Sequence, residues 1–290
     1  MAELRGTFYG VSVGPGDPEL LTLQAVRLIR QCPVLAAPRT SSGRMLALDI
    51  ARRALGEELD GKTILPLQFA MSRDKAVLAA SHEAAAAAVR PFLDAGQDVA
   101  MLNLGDVSIY ATFGYLQELL EAQGYATAMA AGVPSFCAAA ARLNRPSTGG
   151  MDAPLTIAPG GWADRVLDTP GTKVLMKNGT QLPALFEKLA ASGKLAGSAL
   201  VCSCGLPDEA VYPDLSLDRP EGPAGYLATV LVKERYHDPF FRRRPRCTGS
   251  HHPAGRGIAA DSRLHHLCGQ SGQPGSAGAC QRGLCRLQQR

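Results

Sequence analysis

TFYGVSVGPGDPELLTLQAVRLIR, residues 7–30, decides the fold class. Thr7 to Val13 is a β-branched and aromatic run of strand type that ends in Gly14-Pro15-Gly16. After the turn, Leu20, Leu21, Leu23, Val26, Leu28 and Ile29 recur at helical spacing, which predicts a helix over Pro18 to Arg30. Asp17 fits its N-cap and Pro18 its first turn. A strand, a glycine turn and a helix in direct succession open a parallel α/β unit.

The alternation continues outward from this stretch. Val34 to Ala37 and Thr63 to Leu67 are short strands, with a helix over Arg44 to Leu55 between them. Met71 to Asp94 is an Ala-rich helix with a break expected near Pro91. VAMLNL, Val99 to Leu104, is a buried strand, followed by Gly105-Asp106 and a helix over Ile109 to Gln123. Gly124 to Ala131 is a further strand and a hinge, and Pro134 to Leu143 an Ala-rich helix. Strands then follow at 154–158, 173–177, 198–203, 210–215 and 226–233, with helices at 163–167 and 182–192 between the earlier ones. The pattern predicts an α/β protein with a mostly parallel sheet in an N-terminal domain, residues 1–123. A mixed sheet is expected in a C-terminal domain, residues 124–235. No repeat with a period of 20–50 residues is visible.

The chain has 290 residues, 46% hydrophobic and 19% charged, a globular composition. It holds no apolar run long enough for a membrane span, and MAELRGTFYG has no apolar stretch after a basic start, so no secretory signal is expected. The net charge of +4 hides a split. From His237 onward there are nine Arg, no Lys and only Asp238 and Asp261, a formal +7; the residues before them carry −3. Five of the six His and four of the eight Cys also lie in that tail. The body keeps Cys32, Cys137, Cys202 and Cys204, the usage of a reducing, cytoplasmic compartment without disulfides.

The tail, residues 236–290, has neither hydrophobic period. It has too few large apolar residues to offset ordering at roughly 1–2 kcal/mol per residue. It reads as a disordered appendage, or as a frameshifted or read-through translation of GC-rich DNA. Cys247, His251, His252, His265, His266, Cys268, Cys280 and Cys285 could hold zinc, but their spacing fits no compact knuckle. Arg242-Arg243-Arg244 lacks the interleaved aromatics of a nucleic-acid groove and reads as solvated charge. Neither a metal, nor nucleic acid, nor a membrane is expected as a partner.

Three body segments could hold a ligand. Gly14-Pro15-Gly16-Asp17-Pro18 lets a ligand approach the backbone, but it lacks the third glycine of a dinucleotide fingerprint, and Asp17 would repel a pyrophosphate; the alternative is a tight strand-to-helix turn. Leu104-Gly105-Asp106-Val107 sits at a strand's carboxyl end, where open α/β sheets bind ligands, unless Asp106 only caps the next helix. Ala131 to Phe136 (AGVPSF) places small residues before a helix, as a ligand loop or a plain cap would. Cys202 and Cys204 lie two apart on a strand, one facing the core and one a cleft, or both inert packing. The body's only His, His82, sits on an exposed-looking helix, and no P-loop is present. A covalent hydrolase and a nucleotide phosphohydrolase are therefore not expected.

Six strings occur in order: VSVGPGDPELLTLQAVRLI (11–29), NLGDVSIYATF (103–113), AGVPSFCAAAARL (131–143), KVLMKNG (173–179), CSCGLPDEAVYPDL (202–215) and GYLATVLVKE (225–234). Together they resemble the tetrapyrrole methylases of corrin and siroheme biosynthesis, over about residues 5–235, with C20-methylating members the most similar. The resemblance implies two α/β domains, usually in a homodimer, with S-adenosylmethionine (SAM) in the cleft between them. Carried over by motif, Pro15, Leu104, Gly105, Asp106 and Ile109 would line the cofactor cleft from the first domain. Pro134 and Ser135 would follow, with Met176, Lys177, Gly205, Ala228 and Thr229 closing it from the second. On the same ground, Asp17 would be tolerated because the ligand is a sulfonium with a zwitterionic tail. The implied reaction is methyl transfer from SAM to C20 of precorrin-2 or cobalt-factor II, and the DVSIYATF string is closer to the cobalt-bearing branch. Positioning can lower such a barrier by up to ~7–11 kcal/mol, so no catalytic acid–base residue is expected. Arg39, Arg44, Arg73, Arg142 and Lys177 are candidate partners for substrate carboxylates, or else ordinary surface charges. Methylation of another ring position and a tetrapyrrole-binding module without turnover are the alternatives.

Overall fold

Side-chain alternation explains the first sheet. β1 (Thr7–Ser12), β2 (Val34–Arg39), β3 (Thr63–Gln68), β4 (Val99–Asn103) and β5 (Ala126–Ala130) pair in the order β3-β2-β4-β1-β5, all parallel. The computed structural model describes residues 5–222 and 224–233. The disorder, frameshift, zinc and basic-run expectations for the tail lie outside the described residues.

Along β2 and β4, Leu35, Ala37, Ala100 and Leu102 face one way and Val34, Ala36, Val99 and Met101 the other, and all are buried. The first group packs on α1 (Leu23–Gln31) and α2 (Leu46–Leu55) through Leu28, Ile29, Leu48 and Ile50. The second packs on α3 (Lys75–Asp94) and α4 (Phe113–Glu121) through Val89, Leu93, Phe113 and Leu116. Burial on both faces is why these strands read as continuous apolar runs. The strand order reverses between β1 and β4, whose following segments leave towards opposite faces. That divergence opens a crevice at the strands' carboxyl ends.

The second sheet is mixed. β6 (Leu155–Pro159), β7 (Thr172–Met176), β8 (Ala199–Cys202), β9 (Ala210–Tyr212) and β10 (Ala228–Val232) take the order β6-β7-β10-β8-β9. Only β6 and β7 are parallel. α6 (Ala163–Val166) and α7 (Leu182–Ala191) cover one face, and α5 (Ser135–Arg142) the other through Phe136, Ala139 and Ala140.

Four expectations change. The helix expected over 18–30 divides into a 3-10 turn, Pro18–Leu20, and α1. Asp17 accepts from the Glu19 amide at 3.0 Å, but Thr22 is the true N-cap of α1, accepting from Ala25 N at 3.1 Å. The helix expected from Ile109 begins only at Phe113, because residues 109–112 turn along the crevice. Pro91 does not break α3: it forgoes one amide bond near the helix end, and buried Val89 and Leu93 hold that turn in the core. The strand at Ala126–Ala130, expected in the C-terminal domain, pairs with β1 of the first sheet.

The two sheets meet through backbone. A Cβ on Gly16 would stand 2.4 Å from the Cys204 carbonyl oxygen and 2.9 Å from Gly205 C. A Cβ on Gly205, whose φ is +78°, would stand 2.3 Å from Asp17 N. Both positions therefore exclude any side chain, and Gly205 also needs the left-handed conformation. Arg53 of α2 donates to the Gly16 carbonyl at 3.2 Å and holds the first turn from behind. Gly205→Ala is expected to destabilise the protein by about 2–5 kcal/mol, combining left-handed strain with steric overlap; denaturant unfolding measures it, and a loss below about 1 kcal/mol would contradict this packing.

Candidate functional site

The crevice is a cleft of about 280 Å³ between the sheets. Pro15 after β1, Pro38 in β2, Asn103 to Asp106 at the end of β4 and Ile109 to Thr112 form one wall. Pro134 and Ser135 at the start of α5, Met176 and Lys177 after β7, Cys204 after β8, and Tyr226 to Thr229 at the start of β10 form the other. Eleven of the twelve residues taken from the six strings meet here: Pro15, Leu104, Gly105, Asp106, Ile109, Pro134, Ser135, Met176, Lys177, Ala228 and Thr229. Gly205 stands behind Cys204, against the Asp17 amide.

Buried hydroxyl and carboxylate groups knit the loops of the first wall. Ser12 Oγ, fully buried, donates to the Ala130 carbonyl at 2.7 Å and accepts from Val107 N at 2.9 Å. Asp106 accepts from Gly132 N at 2.7 Å on one oxygen. Its other oxygen accepts from Ser108 N at 2.8 Å and from the Ser108 hydroxyl. The Gly105 amide donates to the Gly14 carbonyl at 2.8 Å. The segments after β1, β4 and β5 thus form one hydrogen-bonded unit. Burial pushes the Asp106 carboxyl up, but the bonds from Ser108 and Gly132 outweigh it and hold it below the ordinary value of 3.8. The group is a fixed negative charge at neutral pH.

The mouth carries a cation between two rings. Lys177 Nζ donates to the Tyr110 carbonyl at 3.0 Å and lies 5.6 Å from the Tyr110 ring centroid and 5.9 Å from that of Tyr226. This joins the walls across the cleft. Tyr110 and Lys177 have φ of +52° and +57°, so the clasp holds two non-glycine residues in the left-handed region. Deeper in, Ser135 Oγ and Thr229 Oγ1 lie 3.2 Å apart.

The four arginines are placed otherwise. Arg39, Arg44, Arg73 and Arg142 are exposed, and none lines the cleft. Arg44 pairs with Asp49 at 3.4 Å, and Arg142 with Glu209 at 2.8 Å. Asp17 serves its turn and faces no ligand space, which matches the tight-turn alternative. His82 is half-buried, its ring stacked on Tyr115 with centroids 4.4 Å apart. Cys202 packs with the α7 side of its sheet, while Cys204 reaches the cleft. Tyr110, Tyr226 and Pro38 were not singled out from the sequence. The two tyrosines lie within the strings NLGDVSIYATF and GYLATVLVKE, which could have signalled them.

Chemically, the cleft offers mostly apolar walls, one fixed carboxylate, hydroxyls and a cation at the rim. No histidine is among the described lining residues, so no Ser–His–Asp triad is provided for there. Such a site binds and orients.

Residues 7–217 match the family described as tetrapyrrole (corrin/porphyrin) methylases. The cobalt-precorrin-2 C(20)-methyltransferase of Salmonella typhimurium is 30% identical over 237 residues, covering 80% of this chain and 98% of that one. The precorrin-2 C(20)-methyltransferase of a Sinorhizobium species is 31% identical, covering 78% of this chain and 95% of that one. Among solved structures, a uroporphyrin-III C-methyltransferase from Thermus thermophilus superposes with a TM-score of 0.58 at 25% identity, covering 79% of this chain and 92% of that one.

Asp106→Asn keeps the side chain's size but replaces an acceptor with a donor that opposes an amide. It is expected to cost about 1–3 kcal/mol at pH 7. Because the folded carboxyl titrates below its unfolded value, its contribution is full above about pH 4 and is lost as pH falls through the lower folded value. The stability gap between wild type and Asp106→Asn should therefore narrow as pH falls below about 4; a gap constant with pH would contradict the charge-based account.

Proposed function

The chain belongs to the tetrapyrrole (corrin/porphyrin) methylases, and on that premise we propose that it transfers a methyl group from SAM to C20 of precorrin-2 or its cobalt-bearing form in corrin-ring synthesis. The observation that carries the reading is the meeting of eleven string-derived residues in one cleft where the first sheet's strand order reverses. Relatives that share about 30% identity over nearly their whole length, and carry C20-methyltransferase names, support the position. They include forms named with and without cobalt, so both substrates are proposed.

The lining fits SAM. The space in front of Gly105 is open: a Cβ there would meet nothing nearer than Ser135 N at 3.9 Å, which leaves the strand end accessible to a ligand. Pro15, Leu104, Ile109 and Met176 supply apolar walls, and Asp106 supplies a counter-charge for a cationic ligand. The first turn of α5 starts at the wall with Ser135, where backbone amides lack intrahelical acceptors and suit a carboxylate. When bound, SAM supplies an electrophilic methyl on a sulfonium. The protein's own work is to hold both reactants in register and to exclude water. A cleft fixed by Ser12, Asp106 and the glycine contact does that; as the new carbon–methyl bond forms and the sulfur–methyl bond breaks, the tetrapyrrole gains a positive charge that it then sheds as a proton. The Lys177 ammonium at the rim is the cation best placed for a substrate carboxylate.

The protein is proposed to act as a homodimer in the cytoplasm. The described cysteines, Cys32, Cys137, Cys202 and Cys204, are all free, and no helix among the described residues is long and apolar enough to cross a membrane.

Incubation with methyl-tritiated SAM and either precorrin-2 or cobalt-factor II tests the reading. Label in the tetrapyrrole and an NMR methyl signal at C20 are expected. Tight binding without transfer would make it a binding module, and a methyl elsewhere would reassign the ring position. A chain ending at Glu234 is expected to keep the transfer activity; its loss would give the tail a role.

A further inference from the structure

We infer that Glu209, gripped by Arg142, is a positioning residue that fixes the Cys204–Gly205 turn against the Gly16 turn and so sets the width of the cleft. As a statement about cofactor binding, the inference rests on the SAM reading above.

The Cys204–Gly205 turn lies in the loop that joins antiparallel β8 and β9, and β-pairing does not hold it. Its backbone is strained at Ser203, with φ of +48°, and passes through the left-handed region again at Gly205, φ +78°, which glycine adopts freely. Carboxylates at the end of the loop fold back into it. Asp208 accepts from Ser203 Oγ at 2.8 Å, and Glu209 accepts from the Gly205 amide at 2.7 Å. Glu209 is itself held: Arg142 Nε lies 2.8 Å from one of its carboxylate oxygens and donates to the other at 3.0 Å.

Neither Arg142 nor Glu209 lines the cleft, yet their grip ties together two elements that form it. Arg142 closes α5, whose opposite end places Ser135 in the wall, and Glu209 closes the loop that places Cys204 there. The contact partner across the seam, Gly16, is held from its own side by Arg53. One charged side chain from each half thus secures each of the two glycine turns. This also gives Arg142 a role other than binding substrate. The Cys204 thiol reports on the arrangement, because burial, and then the Glu209 charge, push it up to about 11.

Two measurements on the full-length chain test the inference. In the first, calorimetry with S-adenosylhomocysteine and steady-state kinetics compare wild type, Glu209→Ala and Glu209→Gln. Glu209→Ala should weaken binding about tenfold and raise KM for SAM by far more than it lowers kcat, as loss of one charged hydrogen bond would. Glu209→Gln, which still accepts from the Gly205 amide, should recover most of the affinity. A purely structural role would lower the folded fraction and leave the KM of the survivors unchanged, which would overturn the inference.

The second measurement needs no cofactor. Alkylation by iodoacetamide, mapped by peptide, should be about tenfold faster at Cys204 in Glu209→Ala, because the thiol loses a neighbouring charge and its turn loosens. Cys32, in the core of the first sheet, should be unaffected. An unchanged Cys204 rate, or equal acceleration at Cys32, would overturn the inference. If wild type binds no S-adenosylhomocysteine at all, the SAM reading fails, and the alkylation result alone decides whether Glu209 sets the turn.

Discussion

The rest of the site depends on two backbone turns that touch with no side chain between them. Gly16 and Gly205 bring the two sheets to within a distance no Cβ allows. The walls of the cleft flank that contact: the first is built from β1, β2 and β4, and the second from β7, β8, β10 and the start of α5. Next to Gly205, Leu206 packs into the core under the first sheet and draws the turns together. Polar and charged groups fix them from behind: Arg53 behind one turn, Glu209 and Arg142 behind the other. Such partly exposed ion pairs add little to global stability. Their value here is geometric.

The cleft wall is rigid where the ligand's charge would sit and strained where the ligand would enter. Ser12 and Asp106 use their buried capacity on backbone amides and carbonyls, so the carboxylate is already oriented before anything binds. At the mouth, Tyr110 and Lys177 are held in left-handed conformations by a contact that spans both walls. Backbone strain concentrated at a rim is what a preorganised site carries. Methyl transfer to a nucleophilic carbon asks mainly for alignment, which a preorganised, mostly apolar cleft supplies.

Local pattern made most of the fold legible in the sequence. Doubly buried strands show as VLAA and VAMLN, and the helices between them show their apolar stripes. What stayed illegible has specific causes. The helix over 18–30 divides because Thr22 competes for the backbone as a cap, and spacing alone ranks it no higher than Asp17. The late start of α4 has no local signal, since residues 109–112 are shaped by the cleft. The six strings located the cleft residues, but they could not show that Gly205 supports from behind while Cys204 reaches the cavity. The arginines could not be sorted at all: whether a surface cation is free or paired with a residue distant in sequence, as Arg142 is with Glu209, is settled only in three dimensions.

The position of β10 has a consequence for how the molecule comes into being. The first sheet is built from strands that end by Ala130, each joined to the next by a single helix, and can form as soon as that stretch has been synthesised. The second sheet cannot, because its central strand is its last: β10 must slot between β7 and β8, and until it does β8 and β9 form a separate hairpin and β6 and β7 a separate pair. The open edge of β7 therefore waits through the synthesis of everything between Met176 and Ala228, and that of β8 from Cys202 onward. Ala228 and Thr229, which complete the cleft, arrive with the strand that closes those edges. Completion of the second sheet and completion of the cleft's second wall are thus one event.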